Sequence, residues 1–169
     1  TNKKTMSGPD SIGLPGPGNA GFATPGGVND PFFYVMNSGS YFSGEGALSI
    51  IDPVNATVAV GVLGFGTGPG TIASDGGHKL YISSYTEGLM EFDTDTRSIV
   101  LGAGHGIAIA SNSAVTVDSK GRIYAISSGP CSGGVAGVAH VLRADDLSES
   151  GSITLGECPV GVLVTKIPA

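Results

Sequence analysis

The chain has 169 residues, enough for one domain with a buried core, and its 29 Gly, 10 Pro and 13% charged residues leave little material for helix interiors. A formal charge of −6 with only 8 Lys and Arg argues against a polyanionic partner, so no nucleic-acid ligand is expected. No apolar run approaches the roughly 18 to 20 residues that cross a bilayer as a helix, so no membrane span is expected either.

The chain opens on Thr1-Asn2-Lys3-Lys4 without an initiator Met or a hydrophobic signal core, which reads as a processed or excised segment. Residues 1–17 are Pro/Gly-rich, and 2–14 could supply an outer strand. From there one phrase recurs three times: a Tyr between apolar neighbours, a polar stretch, a run ending in Asp, and a Gly-rich return. In the first repeat, 18–66, the reading is strands over 20–24, Phe33-Tyr34-Val35, 48–52 and 57–63, with Val28-Asn29-Asp30-Pro31 inserted before the Tyr strand. In the second, 67–110, it is strands over 70–74, Leu80-Tyr81-Ile82, 89–93 and 98–101. In the third, 111–157, the strands are 114–118, Ile123-Tyr124-Ala125, 141–145 and 151–155, with an excursion over 129–136; 105–108 is an alternative for its first strand. A terminal strand falls in 158–167, with 160–164 as a fourth inner segment.

Tyr34, Tyr81 and Tyr124 are 47 and 43 residues apart, a period that points to stacked four-stranded units. Small apolar first strands suit a crowded innermost position. Asp75-Gly76-Gly77 and Asp118-Ser119-Lys120-Gly121 supply turns between first and second strands, and Asp52-Pro53 and Asp93-Thr94-Asp95 between third and fourth. The run Pro69-Gly70-Thr71-Ile72-Ala73-Ser74-Asp75-Gly76-Gly77-His78-Lys79-Leu80-Tyr81-Ile82, with Cys158-Pro159-Val160-Gly161-Val162 near the end, resembles the YVTN/NHL group of β-propeller repeats over roughly 18–165. The fold class expected is therefore all-β: a partial β-propeller of about three four-stranded antiparallel blades plus a leftover inner strand.

Three blades do not close a ring of the usual four to eight, and an open arc exposes sheet faces and strand edges. The expected partner is the protein itself, as a homodimer or larger assembly, or the remaining blades of a parent protein.

Residues suited to chemistry are few. His105, between Gly104 and Gly106, and Asn112 are the ligand-binding candidates, placed near the axial mouth. His78 reads as a solvated turn residue, and His140 as a packed or ion-paired surface group. No His or Cys pair has zinc spacing, Asp93-Thr94-Asp95 lacks the rest of a calcium loop, and the Gly-rich runs near Gly61 and Gly102 precede no helix that could hold a phosphate. No metal, no cofactor and no catalytic residue is expected. Cys131 and Cys158 admit one intramolecular disulfide, the other reading being two buried thiols. Asn55-Ala56-Thr57 fits the N-glycosylation pattern, with Asn55 in a turn. Phe32-Phe33-Tyr34 and Tyr41-Phe42 read as blade core and loop packing, with a contact surface as the alternative. The function expected is a non-enzymatic binding or assembly module outside the cytoplasm, whether extracellular, cell-surface or periplasmic. The alternatives are a subunit or fragment of a lyase- or lactonase-like propeller enzyme with an axial site, and a structural surface or fibre protein.

Overall fold

A computed structural model describes residues 21–39 and 45–164. Twelve strands form three four-stranded antiparallel sheets, each a meander in chain order. Blade 1 contains β1 (Gly21–Pro25), β2 (Phe33–Asn37), β3 (Ala47–Asp52) and β4 (Thr57–Val62). Blade 2 contains β5 (Pro69–Ser74), β6 (Lys79–Ser84), β7 (Gly88–Asp93) and β8 (Ser98–Leu101). Blade 3 contains β9 (Asn112–Val117), β10 (Arg122–Ser127), β11 (Ala136–Arg143) and β12 (Glu149–Glu157). The first strands β1, β5 and β9 neighbour one another, which makes the arrangement a partial propeller.

Side chains alternate between the faces of each strand, so a single register fixes two packing surfaces per blade. Tyr34, Met36, Leu48 and Ile50 turn to blade 2 and meet Ile72, Leu80, Ile82, Met90 and Phe92, with Phe65 from the connecting loop. The rings of Tyr34 and Phe65 lie 6.1 and 6.4 Å from that of Phe92 at tilted angles, a favoured aromatic geometry. The opposite face of blade 2 gives Tyr81 and Leu89 to blade 3, which answers with Val115, Ile123, Ala125 and Leu142. Side chains of this size contribute about 1.5–3 kcal/mol each when fully buried, so the two seams weld the blades together.

The turns follow a repeated rule. Between first and second strands, Asp75 Oδ1 accepts the amides of Gly77 and Lys79, and Asp118 Oδ1 those of Lys120 and Arg122. Asp30, within the inserted residues of blade 1, accepts the Phe32 amide and the Tyr34 hydroxyl. Between third and fourth strands, Asp52 and Asp93 end their strands and cap the turn, followed by Ala56 and Arg97 at φ near +53°. Such a backbone costs a residue with a Cβ about 1–2 kcal/mol, and Arg97 offsets it by laying its guanidinium 4.6 Å over the Phe32 ring.

Three expectations need correction. In blade 3 the strand ends at Arg143, the register equivalent of Asp52 and Asp93, whereas Asp145 lies beyond it in the turn; the Arg143 backbone itself closes that turn with Leu147 and Ser148. The third inner strand is 112–117, close to the leading reading of 114–118, and of its alternative, 105–108, only Ile107 forms a bridge, to Leu89. Residues 160–164 are not a paired strand among the described residues. The expected outer strand over 2–14, the aromatics Tyr41 and Phe42, and residues 165–167 lie outside the described residues.

Candidate functional site

The two ends of the arc differ from its interior seams in one respect: no further blade covers them among the described residues. On the far face of blade 3, Tyr124, Ile126, Ala139 and Val141 stand in the register positions that Tyr34, Met36, Leu48 and Ile50 occupy in blade 1. There the core is small: Ala114, Ile126 and Ala139, with only Leu155 and Val162 packed against it. Ile153, opposite Ala139, remains 52% exposed. At the other end, Phe33 of blade 1 is 43% exposed although its neighbour Tyr34 is fully buried, so of the pair expected as core only Tyr34 belongs to a seam.

The disulfide joins Cys131 to Cys158, with Cα atoms 4.5 Å apart. It ties the β10–β11 loop, which contains the expected excursion, to the residues just after β12. From Cys158 the chain runs beside β9, where Ser113 Oγ donates to Pro159 O at 2.8 Å. Residues from the first strands of all three blades and from this tail surround a cavity of about 460 Å³, including Thr24, Thr71, Ala73, Thr116, Val160 and Leu163. Its walls are hydroxyl and aliphatic groups without a charge.

A different cavity, of about 400 Å³, lies between the β6–β7 hairpin and the chain leading to β9, and neither His105 nor Asn112 lines it. His105 is exposed on the turn whose Gly104 and Gly106 line it. Asn112 is buried, and its amide donates to Gly88 O at 3.0 Å while its Oδ1 lacks a partner among the described residues. Asn112 thereby joins blade 2 to blade 3, a structural task the spacing did not reveal. Glu87, beside it in the hairpin, accepts the Gly104 amide at 2.7 Å and fixes the loop that carries His105.

Sequence reasoning missed a polar group within the second seam. Glu91 is 3% exposed and pairs with Lys79 at 3.1 Å. Across the ladder stands Tyr81, fully buried, whose hydroxyl has no partner among the described residues. Burial first, then the charges of Glu91 and Asp75, hold that phenol well above its ordinary range. Tyr34 is raised for the same first reason, reinforced by the hydrogen bond to Asp30. The alternating pattern marked Glu91 only as one residue of a strand.

The remaining candidates are surface groups. His78 lies 3.8 Å from Asp93 and is half exposed. His140 pairs with Glu149 at 3.2 Å. Asn55 is exposed in its turn, with its amide held by Asp52 at 2.7 Å. Among the described residues no three His, Cys, Asp or Glu side chains gather as a metal cluster would, and no helix is long and apolar enough to cross a membrane.

The fold places the chain in the propeller class, as an incomplete arc. Among solved structures it is similar to hydrazine synthase from Kuenenia stuttgartiensis, with a TM-score of 0.64 over 94% of this chain at 17% identity. The match spans 41% of that protein's chain, and at this identity the likeness concerns the fold alone. No family model and no curated protein matches the sequence.

Proposed function

We propose that the protein is a non-enzymatic binding and assembly module outside the cytoplasm, built from YVTN/NHL-like blades, whose open arc is completed by a second copy or by the remaining blades of a parent protein. One observation carries the reading: the blade 3 face bearing Tyr124, Ile126 and Ala139 repeats the register of two faces that are each sealed by a following blade, yet among the described residues only Leu155 and Val162 pack against its buried core. An apolar sheet face with exposed edges favours association. The Cys131–Cys158 bond supports an extracellular or periplasmic setting, because such bonds persist in oxidising compartments. The completing polypeptide is either a second copy or further blades.

Light scattering on the disulfide-intact chain tests this reading. The mass should rise reversibly with concentration, and Ile153→Glu, which places a charge on the open face, should return it to the monomer. A strict monomer at every concentration would sink self-association.

A further inference from the structure

We propose that the cavity of about 400 Å³ between the β6–β7 hairpin and the chain leading to β9 is a binding site for a neutral saccharide, with the Tyr85 ring as the platform on which a pyranose face stacks. The inference goes beyond assembly and does not depend on it, because every lining residue belongs to blade 2 or to the chain that joins blade 2 to blade 3.

Tyr85 departs from the repeat. Four residues after Tyr34 and Tyr124 the chain has Ser38 and Ser128, whereas four residues after Tyr81 it has Tyr85. Two blades of the same register do without an aromatic there, so the blade itself does not require one. The Tyr85 residue is 51% exposed, yet its hydroxyl shares a hydrogen bond of 2.7 Å with Oγ of Ser128, which is fully buried. An exposed aromatic is thus held fast from the neighbouring blade. A ring fixed in advance loses little freedom when a ligand covers it.

The polar groups around the ring select the ligand. Glu87 is the charged residue of the lining, and the Gly104 amide orients its Oε2 at 2.7 Å. No Lys, Arg or His among the described residues lines the cavity, so a phosphate or an acidic sugar would meet a carboxylate and no counter-charge. The amides of Ala108, Ile109 and Ala110, all lining residues, bond to no described residue. Asn112, whose nitrogen holds the carbonyl of the lining Gly88, keeps its Oδ1 unbonded among them as well. Donors and acceptors therefore stand beside an apolar ring. A saccharide hydroxyl both donates and accepts, and a pyranose carries C–H groups on its faces with hydroxyls around its rim. An ammonium group only donates and would leave those amides unmet. The volume lies within the range of small-molecule sites, roughly 300–1,000 Å³.

The test is magnetic resonance on the isotope-labelled, disulfide-intact chain, titrated with the neutral trisaccharides cellotriose, maltotriose and chitotriose. At least one should give saturable amide shifts at residues 86–88 and 104–110, and saturation transfer should reach the C–H protons of one pyranose face. Tyr85→Ala should weaken that binding about tenfold, the scale of a lost ring contact, with an unchanged thermal melt. Tyr85→Phe keeps the ring and should retain most of the affinity; a loss as large as that of the alanine variant overturns the stacking platform. Shifts confined to other parts of the molecule, or none with any of the three sugars, overturn the site. Shifts at these amides with tetramethylammonium and not with the sugars would assign the cavity to a cation and also overturn it. Light scattering reports on the arc and these shifts on the cavity, so either reading can fail while the other stands.

Discussion

Tyr124 donates its hydroxyl to Asp118 Oδ2 at 3.1 Å, and the same carboxylate accepts from Arg122 Nε at 2.7 Å and from two backbone amides. Burial pushes this carboxyl up, but the bonds from Arg122, Lys120 and Tyr124 outweigh it and hold the group at about 2, below its ordinary 3.8. A depressed carboxyl adds stability above pH 3.8 and loses it as pH falls toward 2. Asp118→Ala should cost about 1–3 kcal/mol in urea unfolding at neutral pH. The variant and the wild type should converge in stability as the pH is lowered through that window; a constant gap would contradict the assignment.

Glu91 depends on Lys79 as its charge partner within the second seam. Lys79→Met should leave a buried carboxylate beside the unpartnered Tyr81 hydroxyl and cost about 2–4 kcal/mol, somewhat under the usual figure for a broken buried pair because Lys79 is itself partly exposed. Removing both charges with Lys79→Met and Glu91→Leu should recover most of that loss. Chemical denaturation of the two single variants and the double variant checks the coupling.

The strand plan was legible because Tyr34, Tyr81 and Tyr124 keep one register and the Asp-rich turns punctuate it. The seams were less so. Alternation shows that Phe33 and Tyr34 face opposite ways, but which face meets a blade depends on how many blades exist, and so Phe33 emerged exposed. Asp145 misled for a local reason: the motif ends in Asp, yet the longer β11 ends at Arg143, and the backbone closes that turn without a carboxylate at the strand end. At the site, Cys131 and Cys158 were visible as a pair, while the joining role of Asn112 was hidden because its partner is a backbone carbonyl, Gly88 O, 24 residues away.

The Cys131–Cys158 bond closes a loop with a sequence separation of 27, which limits the unfolded chain by about 3–4 kcal/mol. The double variant Cys131→Ser/Cys158→Ser should lose that much, read by thermal or urea unfolding. Its local consequence is more specific. Amide exchange should accelerate along β9, where Ser113 holds Pro159 O, and remain unchanged in the blade 1 to blade 2 seam.

Gly46→Ala and Gly137→Ala introduce the same methyl at the same register position, and they should differ in outcome. At Gly46 the methyl drives against Pro69 at the head of β5, a strand sealed between two blades, so the collision has no outlet and should cost about 1–3 kcal/mol of global stability. At Gly137 it drives against Pro159, which Ser113 holds through one hydrogen bond and whose following residues form no strand among the described residues, so that it can swing away. There the melting temperature should stay within a degree or two of the wild type, because a shift of that size corresponds to well under 1 kcal/mol in a domain of this length. Equal losses of melting temperature would mean that the tail is as firmly built in as β5, and that blade 3 is closed by it.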